Sequence, residues 1–318
     1  MTRSRWLRLL VAVGLTAIVL YKSHPADVLR AGAHAQLAWI GAAVLLVLVD
    51  RTLMAYRWLV LLCGLTPGTR PPFGAVLRIF FVSTFVGTFL PSIGGDLYRA
   101  YSLAKLQVRG VESAASVIMD RILGVLSILI LGIAALCLAP RLPLDRWAYL
   151  TLALAAVFCA IAALVVFSDR AASAAQRLAA RVPSASIHRL STSLIDVVRR
   201  YGRFHRELAQ VLAFSVIVQI LRVLEAYCLG RALNIGAGLP AYFVFIPVIL
   251  LIMLLPITVS GLGTSQAAFV WLFGQAAVPA AAAFALSILF VALSVVGNLP
   301  GALLYASGPA FGADARPS

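Results

Sequence analysis

Charged side chains are scarce in this chain of 318 residues, at 12% of the total, whereas hydrophobic residues make up 62%. The mean hydropathy is +1.00. A soluble domain does not need so much apolar surface, and about 25% of its residues are charged. The composition therefore excludes a soluble globular protein. It predicts an all-α polytopic membrane protein, with residues 1–318 as a single integral membrane domain.

The residues that usually carry catalysis or bind metals are also few. The four cysteines lie inside apolar runs without metal-ligand spacing, and the four histidines are scattered. The sequence has no paired carboxylates in a soluble lobe, no nucleophile elbow and no phosphate-binding glycine loop. We therefore expect packing roles for the cysteines, no metal, no cofactor and no enzymatic activity.

Acidic residues number 11 against 26 lysines and arginines, which gives a net charge of +15. In a soluble protein this balance would indicate nucleic-acid binding, but the sequence has no basic patch interleaved with aromatic residues. The arginines flank apolar runs, where they can face anionic lipid and the cytoplasm. We therefore expect no nucleic-acid partner.

Two apolar segments are each interrupted by a proline that is followed by glycines. The residues at these breaks are Pro91, Gly94, Gly95 and Asp96 in the first segment and Pro256, Gly261 and Gly263 in the second. Broken helices at corresponding places in two halves of a chain are the best sequence indication of a transporter's binding site. The pattern thus predicts a protein that moves a substrate across the membrane.

Six further apolar runs are long enough to cross the bilayer, which takes about 20 residues. They are 6–21, 37–63, 113–138, 147–167, 210–233 and 279–306. The first run follows a basic N-terminus that resembles a signal peptide. The candidate cleavage site at 33–35 lies too far beyond the run for ordinary processing, so we expect an uncleaved span.

The arginine-rich segment 168–209 should be cytoplasmic by the positive-inside rule. A full crossing at Pro91 would put this segment outside, whereas a re-entrant loop keeps it on the side of Arg99 and the N-terminus. We therefore predict six full crossings and two re-entrant hairpins. The halves 37–167 and 210–306 would form an inverted repeat, with both chain termini in the cytoplasm.

The joining segment 168–209 has apolar residues at helical spacing, with arginines on the opposite face. This pattern indicates an amphipathic helix at the cytoplasmic leaflet. It either docks on anionic lipid or simply connects the halves.

Several charged residues lie at membrane depth, where each costs at least about 2.5–3.5 kcal/mol. Asp96 and Arg99 follow the first break, where a helix N-terminus and exposed backbone can receive an anion. Arg222 and Glu225 lie three positions apart on one helical face and predict a structural ion pair. Arg57, near a predicted cytoplasmic end, is expected to extend to the interface.

The two breaks resemble those of the flippase-like membrane domain of bacterial lysylphosphatidylglycerol synthases and their stand-alone relatives. Two further motifs strengthen the resemblance, which covers most of residues 5–306: the pair Asp120-Arg121 and the sequence Asn298-Leu299-Pro300-Gly301. Gly124 and Gln266 stand where relatives commonly have acids, so the resemblance does not imply proton coupling at Gln266. The synthases also carry a C-terminal aminoacyl-transferase domain, which the resemblance does not extend to here.

The resemblance implies a lipid flippase-like transporter of the bacterial cytoplasmic membrane. Its partners would be membrane lipids with anionic or zwitterionic headgroups, and its substrate a phospholipid or a polyprenyl-phosphate carrier. Arg99, Arg121 and Arg51 would neutralise the phosphate, with Asp96 and Asp120 orienting them. The expected translocation residues are Arg51, Pro91, Gly94, Gly95, Asp96, Arg99, Asp120, Arg121, Pro256, Gly261, Gly263 and Gln266.

Two other functions also fit the sequence. A non-transporting membrane scaffold could dock a lipid-modifying or glycan-synthesising enzyme through the arginine-rich segment 168–209. A small-solute transporter would fit the broken helices but not the resemblance.

Overall fold

The computed structural model describes residues 36–65, 72–89, 95, 98–99, 102, 110–138, 145–179, 185–254 and 264–307. These residues form ten α-helices and one 3₁₀-helix, Tyr201–Arg203, and include no strand. In chain order the α-helices are α1 (Leu37–Leu65), α2 (Phe73–Phe89), α3 (Gly110–Leu138), α4 (Arg146–Phe167), α5 (Asp169–Ala179), α6 (Ala185–Arg200), α7 (His205–Ala232), α8 (Leu239–Leu254), α9 (Thr264–Gly274) and α10 (Ala280–Ala306).

Five of the helices are long and apolar enough to cross a membrane, namely α1, α3, α4, α7 and α10. Their bounds agree to within a few residues with five of the six predicted crossings, and the all-α polytopic fold is confirmed. The sixth predicted crossing, 6–21, lies outside the described residues. The lipid-facing side of α4 shows why such helices need a membrane, because Leu154, Ile161 and Phe167 are all more than half exposed.

The first broken segment is a hairpin. Helix α2 has 17 residues, which is about 26 Å and shorter than the hydrocarbon core of about 30 Å. Gly95 lies back against α2, where a Cβ on it would come within 2.7 Å of the Ser83 carbonyl oxygen and 3.0 Å of the Gly87 Cα. Arg99 lies beside Phe80, still farther back along α2. The chain therefore reverses after α2, and only glycine fits at position 95. Pro91, Gly94 and Asp96 lie outside the described residues.

The second broken segment also folds back on itself. Helices α8 and α9 have 16 and 11 residues. The ring of Phe273, at the end of α9, lies 5.0 Å from that of Tyr242 and 5.4 Å from that of Phe245, both at the start of α8. The two ends of this segment therefore meet. Its break, with Pro256, Gly261 and Gly263, lies outside the described residues.

Helices α1 and α7, the first long helices of the two predicted halves, pack against each other in antiparallel orientation. Arg57, late in α1, contacts Ser215, early in α7. Trp39, at the start of α1, contacts Tyr227, near the end of α7, with ring centroids 6.4 Å apart. Equivalent helices of an inverted repeat run in opposite directions, as these two do.

Four pairs of helix contacts are related by one exchange of helices. Exchanging α1 with α7, α2 with α8 and α3 with α10 converts the α2–α10 contact into α8–α3 and the α1–α10 contact into α7–α3. The same exchange converts α1–α2 into α7–α8 and α1–α3 into α7–α10. The α2–α10 contact and its counterpart α3–α8 each include a glycine. Gly301 of α10 lies against Phe81 of α2, and Gly132 of α3 lies against Pro247 of α8. This pattern supports the prediction of two related halves.

The joining segment forms two helices rather than one. Helices α5 and α6 pack together, and the Gln176 amide donates to Asp196 at 2.9 Å. The segment is anchored to the bundle by Tyr201, whose hydroxyl donates to the Leu61 carbonyl at 3.1 Å. Burial raises the pKa of the Tyr201 phenol well above its ordinary value, so the phenol remains a donor. The segment is therefore a docked helical hairpin, not a single surface helix.

We expect Gly301→Ala to lower the free energy of unfolding by about 1–3 kcal/mol, the usual effect of overpacking. A Cβ at Gly301 would overlap the Phe81 carbonyl oxygen, so α2 and α10 would have to separate. Gly124→Ala is the matched control, because a Cβ there meets nothing within 4 Å. Thermal unfolding in detergent measures the difference. Equal unfolding temperatures for the two variants would contradict this helix contact.

Single cysteines at Ser92 and Thr264, in a version without the four native cysteines, should react with a membrane-impermeant reagent from opposite sides. This result is expected because the two hairpins enter the membrane from opposite faces in the predicted inverted repeat. Ile161→Cys, on the lipid-facing side of α4, is the unlabelled control. Labelling of both hairpins from one side would show that the halves are not inverted.

Candidate functional site

A buried group of two arginines and one aspartate lies where the first hairpin meets α1 and α3. Arg57 of α1 binds Asp120 of α3 through two nitrogens, with Nη2 and Nε at 2.7 and 2.9 Å from Oδ1. Arg99, on the returning arm of the hairpin, places Nη1 at 3.9 Å from Asp120 Oδ2. All three side chains are at most 7% exposed. We call Arg57, Arg99 and Asp120 the Asp120 cluster.

Aromatic rings and hydroxyl groups fix the guanidinium group of Arg99. Its carbon lies 4.8 Å from the ring centroid of Trp58 and 4.7 Å from that of Phe80. Such cation–π contacts hold a cation while leaving its N–H groups able to donate in the plane. Arg99 Nε donates to Ser83 Oγ at 3.3 Å, and the Trp58 indole donates to Ser116 at 3.2 Å. The arginine is therefore preorganised by α1 and α2.

The three side chains of the Asp120 cluster carry a summed charge of +1. Because the shorter contacts of Asp120 go to Arg57, the carboxylate mainly neutralises that arginine. Phosphate and carboxylate oxygens match the planar donors of a guanidinium group. The cluster is thus suited to binding an anionic oxygen through Arg99.

A second buried group lies deeper, between α1 and α7. Asp50 accepts from Arg51 Nη1 at 3.0 Å and lies 3.4 Å from Arg222 Nε. Both arginines also contact the Met54 sulfur, Arg51 at 3.7 Å and Arg222 at 3.0 Å. Glu225, one turn beyond Arg222 and only 3% exposed, completes the group. We call Asp50, Arg51, Arg222 and Glu225 the Asp50 cluster.

The two clusters form steps along α1. Asp50 and Arg57 are seven residues apart, which is about 10 Å along a helix. At the end of the bundle, Glu112 of α3 lies 3.3 Å from Arg200 of the joining segment. Asp120 follows Glu112 by eight residues, or about 12 Å. Three groups of charged side chains therefore lie one after another between the joining segment and the middle of α1.

Two sequence expectations are corrected by these contacts. Arg222 was expected to pair with Glu225, but its carboxylate partner is Asp50 on α1. Arg57 was expected to extend to the interface, yet it is 3% exposed and bound to Asp120 and Ser215. In both cases the observed partner comes from a distant part of the chain.

The predicted translocation residues separate into several places. Arg99 and Asp120 meet in one cluster, whereas Arg51 lies in the other. Arg121 lies on the exposed side of α3. Gln266 accepts from the neighbouring Ser265 at 3.1 Å in the first turn of α9.

Arg57, Trp58 and Ser215 are parts of the site that the sequence did not identify. One pattern would have indicated Arg57. Asp50, Met54 and Arg57 follow the i, i+4, i+7 spacing of one helical face. Such a polar stripe within an apolar span faces protein or a polar cavity rather than lipid.

In the part of the chain that the structure describes, no group of three or more His, Cys, Asp or Glu side chains could hold a metal ion.

The fold and the site define a multi-pass helical membrane protein with two broken-helix hairpins and two clusters of charged side chains between its helices. Residues 5–301 match the family model described as the lysylphosphatidylglycerol synthase TM region, and the chain belongs to that family. No curated protein and no solved structure matches the chain. The family places the chain among membrane proteins of lipid metabolism.

We expect Asp120→Asn to lower the free energy of unfolding by about 3–5 kcal/mol, because it removes the carboxylate that faces two buried arginines. Asp169→Asn is the matched control. It removes a surface ion pair with Arg199 in which the aspartate side chain is 91% exposed, and it should cost less than about 1 kcal/mol. Chemical denaturation in mixed micelles measures both. Similar losses in the two variants would contradict the buried ion pair.

Proposed function

We propose that this chain is a lipid flippase-like transporter that moves a phosphate-bearing lipid across the membrane. The observation that carries the proposal is the Asp120 cluster. It brings two arginines and an aspartate together at membrane depth, where the returning arm of a broken-helix hairpin meets α1 and α3. Charged residues inside a membrane are rare and expensive, and they commonly mark a substrate path.

The geometry supports phosphate as the group that is bound. Arg99 is held between Trp58 and Phe80 with its donors oriented. Asp120 lies 3.9 Å from Arg99 but 2.7 Å from Arg57. An incoming phosphate would replace the longer contact to Arg99, while Asp120 keeps Arg57 neutralised. The retained Arg57–Asp120 pair would hold α1 and α3 together while the headgroup passes.

The arrangement of the charged clusters also suggests a path for the lipid headgroup and a movement of the two halves. The headgroup would move from the Glu112–Arg200 pair to the Asp120 cluster and then toward the Asp50 cluster, while the acyl or prenyl tails stay in lipid. Antiparallel α1 and α7 form the contact between the two halves. Rocking of one half against the other would expose the clusters to each side in turn.

The substrate class is a phospholipid or a polyprenyl-phosphate carrier, since both present the same phosphate chemistry. We place the protein in the cytoplasmic membrane of a bacterium, with the joining segment and both termini in the cytoplasm. This orientation puts the arginines of the joining segment in the cytoplasm, where the positive-inside rule expects them.

We expect Arg99→Ala to reduce lipid movement about tenfold or more, because a charge-assisted hydrogen bond worth about 1.5–3 kcal/mol is lost. Arg99→Lys should restore only part of the rate, since the ammonium lacks the planar fork. The assay uses proteoliposomes with labelled phosphatidylglycerol, its lysyl form or a short polyprenyl phosphate, tested separately. Arg177→Ala, on the exposed side of α5, is the matched control.

Unchanged transport in Arg99→Ala would remove Arg99 from the path. No movement of any of the three lipids by the folded and inserted wild-type protein would contradict the transporter. If the protein instead co-purified with a glycosyltransferase or acyltransferase, the scaffold function would replace it.

A further inference from the structure

The middle of the α1–α7 interface holds more polar groups than its hydrogen bonds satisfy. Within the described residues, Asp50 Oδ1, Arg51 Nε and Glu225 Oε1 are buried without a hydrogen-bond partner. Gln219 Oε1, one turn before Arg222 on α7, is in the same state. Few native buried polar groups remain unsatisfied, and each one needs a physical reason. Three of these four atoms are hydrogen-bond acceptors. A proton on Asp50 or Glu225 would add a hydrogen-bond donor to this group.

Glu225 is the member of the Asp50 cluster best placed to gain and lose a proton. Asp50 is engaged by both arginines, at 3.0 and 3.4 Å. Glu225 forms no ion pair within 4.0 Å among the described residues, although it is only 3% exposed. A buried carboxylate without a bound cation favours its neutral, protonated form.

The groups that act on Glu225 come from two helices. Asp50 and Arg51 face it from α1, and Arg222 and Cys228 flank it on α7 itself. Of the other helices packed on α7, α8 and α10 contain no charged residue, and Asp120 of α3 is bound to Arg57. Its protonation state is therefore set at the contact between the two halves.

We propose that Glu225 is a proton-binding site that couples proton movement to the transport of the lipid headgroup. This inference rests on the proposed function. A proton from water on one side adds to the Glu225 carboxylate to form the neutral acid, and the same proton leaves to water on the other side. No other bond forms or breaks.

The charge balance gives the direction of coupling. Two arginines and two ionised acids make the Asp50 cluster neutral, and protonation of Glu225 makes it +1. The Asp120 cluster lies about 10 Å away along α1. A proton on Glu225 therefore strengthens the binding of an anionic headgroup there. By linkage, the headgroup strengthens the binding of the proton to the same extent. Proton and headgroup should move in the same direction.

The test uses the full chain in proteoliposomes with fluorescent phosphatidylglycerol as the probe. A pH gradient that drives protons in the direction of lipid movement should raise the rate of lipid movement by the wild type about fivefold or more. Fivefold is the lower end of the usual range of coupling factors between two binding sites. Glu225→Gln should lose this response, and Glu225→Asp should keep part of it. Glu207→Gln, the same substitution in the first turn of α7, is the matched control and should respond as the wild type does.

A second readout does not depend on transport. Ordinary carboxyl groups are ionised at neutral and at alkaline pH. The infrared difference spectrum between these two conditions should contain the band of a protonated carboxyl group, and Glu225→Gln should lose it while Glu207→Gln keeps it. Lipid movement by the wild type with no response to the gradient would overturn the coupling and leave the transporter intact. Retention of both the response and the band in Glu225→Gln would overturn the assignment to Glu225. No lipid movement by the wild type would overturn the proposed function and the coupling together.

Discussion

The pairing of Arg57 with Asp120 is the interaction on which the described bundle depends, because an uncompensated charge at this depth is expensive in a medium without water. The pair joins α1 to α3, and the bond from Arg57 to Ser215 extends it to α7. Three helices are thus fixed by one guanidinium group. Arg99 joins the same group from the first hairpin, so the position of that hairpin depends on the pair as well. Stability and the proposed substrate path share one set of atoms.

Much of the fold could be predicted from the sequence because membrane spans are specified locally. A run of about 20 apolar residues is sufficient to define a crossing, and the arginine-rich joining segment is recognisable by composition. The two breaks were also visible, since proline and glycine act on their own backbone. The motif that ends in Gly301 acquires a physical reason in the structure: Asn298 donates to Thr88 of α2, and Gly301 leaves room for the α2 backbone.

The site was less predictable because its contacts join distant parts of the chain. Arg57 lies 63 positions from Asp120 and 158 from Ser215, and no local pattern selects those partners. For the same reason Arg222 pairs with Asp50 rather than with a residue of its own helix. Adjacent residues of a helix also point in different directions, which separates Arg121 from Asp120. The residue types of the site could be predicted from the sequence, but which of these residues contact each other depends on how the helices pack.

Helix contacts of the two predicted halves correspond in part, but their charged residues do not. The first hairpin lies beside arginines and an aspartate, whereas the second packs through rings such as Phe269 and Phe273, stacked 5.7 Å apart. In a transporter whose halves alternate, two identical halves would give inward- and outward-facing forms of equal free energy. If this chain works as proposed, one hairpin must keep its charges solvated or paired and the other need not, so the two forms would differ in free energy. Without substrate, the protein would therefore populate mainly one of the two forms. Its binding site would then be open mainly to one side of the membrane.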